Sequence, residues 1–308
     1  MIQDVLTVGG SVVTLFLLMA VGFVLAKMKI MTKATLSEMS KVLLCVVCPA
    51  LMVDIMLGET RNRATVRIML IAGAVLVGTY VLNMILIRFC YRKKPEDQRG
   101  VMRYATIYGN TGFMGVPLIQ AVMGDSAAVI AVTSLVVFNI SIWTHGAVLI
   151  GGKERASVKK ALLNPGTIGF VIAVVLFAGG IPLPGSVLKA VGFVGSLNTP
   201  LAMMIIGGQM AAVDLKSVVK DSRLYVVSVL KLLVVPAISL LVLLPLKLDP
   251  MIVLAVVILA GCPTAGSTSI MSEVMGKDTS LAARLVTLST ILCIITLPLV
   301  AAVAKLLA

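Results

Sequence analysis

Apolar residues fall into long blocks separated by short polar breaks, and the breaks are mostly basic. Each block is near the 20 or so residues that a helix needs to cross a hydrocarbon core of about 30 Å. Reading blocks against breaks gives spans at 4–27, 34–57, 66–90, 100–124, 126–150, 164–181, 186–212, 223–246, 249–275 and 280–306. The pattern predicts an all-α polytopic membrane protein of ten transmembrane helices, with no room left for a soluble domain. The first block is too long for a signal-peptide core, and no small-residue cleavage site precedes Lys27-Met28-Lys29, so it is expected to remain as the first span.

Composition agrees with the pattern. Hydrophobic residues make up 59% of the chain and charged residues 13%, with a mean hydropathy of +1.11. Soluble domains carry roughly a quarter charged residues, so a water-soluble fold is excluded. The net charge of +13 does not indicate nucleic acid, because the basic residues cluster between apolar blocks. Nineteen Lys and Arg residues fall in or beside the odd-numbered loops and six on the opposite side. That bias places the odd loops in the cytoplasm and both termini outside a cell (inner) membrane. The cluster Arg61, Arg63 and Arg67 runs against it.

The chain also divides into halves. Residues 1–151 form a first five-helix repeat, 152–163 a cytoplasmic connecting loop and 164–308 a second repeat. Pro49 in span 2 answers Pro200 in span 7, and Gly109-Asn110 in span 4 answers Gly261-Cys262 in span 9. Five spans is an odd number, so the second repeat must cross in the opposite sense, an architecture used by transporters.

Spans 4 and 9 carry the sharpest signal. Span 4 contains Tyr108-Gly109-Asn110-Thr111-Gly112-Phe113-Met114-Gly115-Val116-Pro117, and span 9 contains Gly261-Cys262-Pro263-Thr264-Ala265-Gly266-Ser267-Thr268-Ser269. Gly and Pro disfavour a helix interior by about 1 and 3 kcal/mol, and unpaired backbone in lipid costs more. A helix restarting at mid-membrane presents free N–H groups and a positive dipole end, which suit a carboxylate. The candidate substrate-binding residues are therefore Asn110, Thr111, Gly112, Pro117, Pro263, Thr264, Ser267 and Thr268. The competing reading is that these small residues only let helices pack closely.

Four ionisable residues in or beside spans are candidates for coupling or charge relay. Lys231 either attracts an anion, pairs with Glu273 or snorkels. Asp54 either carries a coupling proton or faces outer water. His145, the sole histidine, is either a proton relay or an interfacial residue beside Trp143. Gln120, Asn139, Asn198 and Gln209 read as interhelical hydrogen bonds. The five cysteines, including Cys45 and Cys48, read as small buried hydrophobes rather than metal ligands. No cofactor is expected. One histidine and no acidic motif argue against an enzyme, and no ring of filter residues points to a channel.

Asn110-Thr111-Gly112-Phe113-Met114-Gly115-Val116-Pro117-Leu118 resembles the Asn-Thr-x-x-Met-Gly-x-Pro-Leu segment of the auxin efflux carrier family, which includes plant PIN-type exporters and bacterial permeases. Pro49, Ile142-Trp143-Thr144, Lys231 before Pro236, and Pro263 extend the resemblance over most of the chain. It implies two inverted repeats of five helices with spans 4 and 9 broken and crossing, on a scaffold shared with bile-acid symporters and sodium/proton antiporters. It also implies elevator-type alternating access, with a scaffold around spans 1, 2, 6 and 7 that a homodimer would anchor. Carried over, Asn110, Pro117, Pro263 and Thr264 form the crossing and meet the substrate carboxylate. The expected substrate is a small organic anion, a malate- or malonate-like or auxin-like mono- or dicarboxylate, with H+ or Na+ as coupling ion. The rival is a cation/proton antiporter or sodium-coupled symporter on the same scaffold. Two departures stand out: span 3 lacks the acidic residue of plant carriers, and position 273 is Glu where relatives are expected to be basic. The long cytoplasmic insert of plant exporters is missing, which points to a prokaryotic member.

Overall fold

The computed structural model describes residues 2–124 and 127–307, and among these the chain is helical with no named strand. The helices are α1 (Ile2–Lys27), α2 (Lys33–Gly58), α3 (Arg63–Ile87), α4 (Glu96–Ile107), α5 (Val116–Met123), α6 (Ala128–Gly151), α7 (Val158–Leu162), α8 (Pro165–Gly179), α9 (Gly185–Ala211), α10 (Leu215–Lys220), α11 (Ser222–Leu246), α12 (Pro250–Gly261), α13 (Ser267–Val274) and α14 (Thr279–Leu307). Seven of them, α1, α2, α3, α6, α9, α11 and α14, are long and apolar enough to cross a membrane. They coincide with predicted spans 1, 2, 3, 5, 7, 8 and 10. Span 6 appears as the shorter apolar helix α8, and spans 4 and 9 are each broken in two. Leu70, Leu241 and Ile295 point outward on these helices, as a lipid-facing surface requires.

Local chemistry sets the ends and the irregularities. Asn62, Asn164 and Asp249 each accept from backbone N–H groups at the start of α3, α8 and α12, at 2.8 Å for the shortest bond in each case, which satisfies donors that a helix start leaves over. Pro49, Pro117 and Pro236 each follow a widened turn, at Leu43–Val47, Thr111–Gly115 and Leu230–Val234. In each case the residue before the proline donates to a carbonyl five residues back. The wide turn accommodates a residue that has no N–H and would clash with the preceding turn.

Two packing relations are reciprocal between the halves. Helix α1 lies along Asn198–Ala211 of α9, while α8 lies along Cys48–Gly58 of α2. The first contact is a backbone approach: a Cβ on Gly22 would collide with the Met204 carbonyl, and one on Gly207 with the Met19 carbonyl. Small residues permit such close helix pairs in membranes. Around these four helices, α3 packs on α6, and α11, α12 and α13 pack against α14.

Candidate functional site at the crossing of two broken helices

Helix α4 ends at Ile107, Tyr108 is extended at φ −95° and ψ 105°, and helical winding resumes at Thr111. Helix α12 ends at Gly261, Cys262 is extended at φ −59° and ψ 146°, and winding resumes at Ser267. The two extended stretches cross as an antiparallel bridge between Gly109 and Thr264. Asn110 N–H donates to the Pro263 carbonyl at 2.7 Å, and Ala265 N–H donates to the Tyr108 carbonyl at 3.0 Å. Each break thus satisfies part of the other's backbone, as polar main chain removed from water requires. Thr264 locks the arrangement: its N–H donates to Ser289 Oγ at 3.0 Å and its hydroxyl to the Ala105 carbonyl at 3.0 Å.

On one side of the crossing lies a cavity of about 210 Å³. Its wall includes Asn110, Gly112 and Phe113 from the first break and Ala265, Gly266 and Ser267 from the second. Helix α2 adds Leu44, Cys48 and Met52, helix α6 adds residues from Leu135 to Trp143 with Asn139 among them, and the start of α8 adds Asn164, Pro165 and Gly166. No Lys, Arg, His, Asp or Glu lines it. The backbone N–H groups of Gly112, Gly266 and Ser267 take no protein acceptor among the described residues, although their neighbours do. Asn110 Oδ1 accepts from Phe113 N–H at 3.3 Å, which leaves its amide N–H groups for a ligand. Ser267 Oγ pairs with Tyr104 Oη at 3.0 Å.

On the other side is a pocket of about 20 Å³, room for one water. Lys231, Thr79, Tyr80, Asn83 and Thr111 line it. Lys231 is 1% exposed and donates through Nζ to the Ala260 carbonyl at 2.9 Å. A Cβ on Gly109 would lie 2.9 Å from that Nζ, so the glycine makes room for the ammonium. Asn83 Oδ1 and Thr111 Oγ1 are buried there without a hydrogen-bond partner.

Of the residues singled out from the sequence, Asn110, Gly112 and Ser267 line the large cavity and Thr111 the small one. Pro117, Pro263, Thr264 and Thr268 line neither; Thr264 is consumed by the crossing, and Thr268 is buried with its hydroxyl unpartnered. Lys231 does not pair with Glu273: its acceptor is a carbonyl, and Glu273 is exposed near the end of α13. The reason is that Nζ is drawn to carbonyl oxygens at the end of α12. Asp54 sits against Gly192 of α9, away from both cavities. His145 turns inward onto Tyr108 Oη, 2.9 Å from its Nδ1, while the neighbouring Trp143 stacks under Lys160. All five cysteines are free thiols, and Cys48 donates to Asn198 Oδ1 at 3.3 Å. Tyr104, Tyr108, Phe113, Phe138 and Asn164 were not singled out from the sequence. Asn164 had a readable signal, an Asn-Pro-Gly start to a span, but the aromatic residues look like any core residue.

The family model of membrane transport proteins matches residues 7–159 and 154–301, and so nearly all of the chain. The chain belongs to the auxin efflux carrier-like family. As a family member it is a membrane transport protein. It is 22% identical over 294 residues to an uncharacterized transporter of Methanothermobacter thermautotrophicus, covering 94% of this chain and 96% of that one. A second uncharacterized transporter, from Methanocaldococcus jannaschii, is 24% identical over 143 residues, covering 44% of this chain and 46% of the relative. The crossing therefore lies in a protein built to move a solute, and its two unlike cavities have to be assigned within that task.

Proposed function

We propose that this auxin efflux carrier-like protein is a secondary transporter of a small organic anion with a single carboxylate and an apolar body. The observation that carries the reading is the set of three unpartnered N–H groups, of Gly112, Gly266 and Ser267, on residues lining one cavity. Donors of this kind at restarting helices attract a carboxylate without a fixed positive charge. Phe113, Phe138, Trp143, Leu44 and Ile142 fit an apolar body, and no cationic side chain among the lining residues serves the far carboxylate of malate or malonate. A cavity of about 210 Å³ is smaller than the roughly 300–1,000 Å³ of sites for drug-sized ligands, which suits a small carboxylate.

The mechanism we infer is elevator-type alternating access by ten helices in two inverted repeats of five. The crossing supports it through its local two-fold character: exchanging the two strands turns the Asn110 to Pro263 bond into the Ala265 to Tyr108 bond. The reciprocal pairing of α1 with α9 and of α8 with α2 supports it again, and these four helices would be the scaffold, paired in a homodimer. Positive-inside bias supports a cytoplasmic loop 152–163 and termini outside the cell membrane. The cavity, walled by the start of α8 just beyond that loop, then faces inward.

Sodium-coupled transport is the second reading, and Lys231 weighs against it. Its ammonium already holds the carbonyl end of α12, where a coupling cation would be drawn. The test is thermal unfolding of purified protein with phenylacetate, indole-3-acetate, malate and malonate, each with and without sodium. Apolar monocarboxylates should raise the melting temperature by linkage, and sodium should not. Stabilisation by malate or malonate alone would overturn the substrate class, and stabilisation by sodium the coupling argument.

A further inference from the structure

Three tyrosines pack at the crossing. Tyr108 lies 4.5 Å from Tyr104 and 5.8 Å from Tyr80 between ring centroids. Tyr104 reaches the large cavity through Ser267. Tyr108 reaches the other way, to the widened turn Ile142–Gly146 of α6, with Oη 2.9 Å from His145 Nδ1 and 3.0 Å from the Ser141 carbonyl. Gly146 leaves room for both rings, since a Cβ there would meet the Tyr104 ring at 2.7 Å and the Tyr108 ring at 3.3 Å. Tyr108 also supplies the carbonyl that accepts from Ala265 in the crossing. One residue thus joins the histidine to the backbone of the candidate site.

The proton arrangement follows from counting donors. The phenol has one hydrogen and two neighbours, and a carbonyl only accepts. An imidazolium is donor-only, so a phenol that donated to Nδ1 would have to reverse when His145 gains a proton. The arrangement that persists in both charge states has the phenol donating to Ser141 and Nδ1–H donating to the phenol. That leaves Nε2 as the basic atom. It has no partner among the described residues, and His145 is half-buried. Its position is within one helical turn of Ile142 and Trp143, which line the cavity.

We propose that His145 is the proton-binding residue of the transport cycle, with Tyr108 as the positioning residue that ties its charge state to the crossing. This rests on the carboxylate reading of the cavity for its meaning in transport. In the step, neutral His145 takes one proton at Nε2 from a hydronium ion of the cytoplasmic water: an N–H bond forms, one O–H bond of the hydronium breaks, water is released and the ring becomes imidazolium. A positive charge one turn from a low-dielectric cavity favours a bound carboxylate, so the anion and the proton bind together and their charges cancel. Other ionisable groups on the surrounding elements are Tyr104, Arg99, Arg103, Glu96 and Asp97 on α4, Tyr80, Arg63 and Arg67 on α3, Lys159 and Lys160 on α7, and Lys153, Glu154 and Arg155 in the turn after α6. None of them is hydrogen-bonded to the histidine; Lys160 sits over the Trp143 ring at 5.7 Å.

Trp143 is the only tryptophan and stands two residues from His145, so its fluorescence reports both protonation and occupancy. The purified full chain is titrated from pH 5 to pH 8 by fluorescence, alone and with phenylacetate or indole-3-acetate. Wild type should show one protonation transition, and anion affinity should fall roughly tenfold as pH rises through it, a coupling of ordinary size. His145→Gln, which keeps an amide donor for Tyr108, should abolish the transition and flatten the affinity profile. Tyr108→Phe should keep the transition and weaken the affinity dependence, because the charge is still made but the His145 ring is no longer held in place. A flat wild-type titration, or a transition that survives in His145→Gln, overturns the proposal. Silence of the fluorescence towards both anions at every pH would instead overturn the carboxylate reading, and the ligand-free titration would still decide whether His145 binds the proton.

Discussion

The two sides of the crossing are made from the same broken backbone and have opposite polarity. On the large-cavity side, the lining residues Gly112, Gly266 and Ser267 keep N–H groups without a protein acceptor among the described residues, and no charged side chain is among the lining residues. Towards the small pocket the breaks expose the end of α12, and Lys231 covers its Ala260 carbonyl. A helix interrupted at mid-membrane creates both a donor end and an acceptor end. This protein closes the acceptor end with its own side chain and leaves the donor end open. The difference teaches which side is built to receive a ligand: an end that is already satisfied contributes structure, and an end left unsatisfied is available for binding.

Substitutions on the two sides should therefore separate stability from binding. The largest stability effect is expected at Lys231. Lys231→Ala removes a buried donor from the Ala260 carbonyl and empties the stem's volume, which should cost about 3 kcal/mol. Thermal or denaturant unfolding measures it, and a loss below about 1 kcal/mol would break the comparison by making the acceptor end indifferent to its cover. The largest binding effect is expected at Asn110. Asn110→Asp keeps the oxygen that caps Phe113 N–H and puts a negative charge beside the cavity. Carboxylate affinity should fall by roughly a hundredfold, about 3 kcal/mol for like charges in a site of low dielectric. Asn110→Ala should fall roughly tenfold and also lose about 1 kcal/mol of stability through the missing cap. Equal affinities for the two variants would remove Asn110 from the site.

How much of this was readable from the chain depends on the type of signal. The long helices were legible because an apolar block of membrane length has few other uses, and Gly109, Gly112, Pro117, Pro263 and Gly266 marked both breaks because a span tolerates them poorly. The widened turns are not legible in the hydrophobic pattern, although Pro49, Pro117 and Pro236 each stand one residue beyond the position that closes one. The use made of individual polar residues was the hardest part. Thr264 and Ser267 look alike in sequence, yet Thr264 is spent on Ala105 and Ser289 whereas Ser267 lines the cavity. Lys231 admits three readings in the sequence, none of them a main-chain carbonyl, because a carbonyl is not visible as a residue type. Tyr108 and Phe138 carry no sequence signal in a chain where apolar residues fill every helix.

The smallest predicted effect sharpens the same contrast from outside the membrane. Asp221 stands at the start of α11, the helix that carries Lys231. Its carboxylate pairs with Arg223 at 2.6 Å and with Arg284 of α14 at 3.2 Å, and Arg223 continues to Gln98 of α4 at 2.9 Å. Hydrogen bonding from Arg223 is the main cause that holds the Asp221 carboxyl below its ordinary range, with the charges of Arg223 and Arg284 adding to it. A carboxyl depressed in the folded state stabilises fully above its unfolded pKa and loses that contribution as pH falls through the folded one. Asp221→Asn should therefore lower stability at neutral pH by at most about 1 kcal/mol, the scale of partly exposed ion pairs. The deficit relative to wild type should vanish at acidic pH, where both carry a neutral group. Anion affinity should stay unchanged, because the network clamps the acceptor-side helix and touches no residue of the cavity. A matching loss of affinity would show that α11 and the donor side move as one, and the separation drawn between the two sides of the crossing would then be lost.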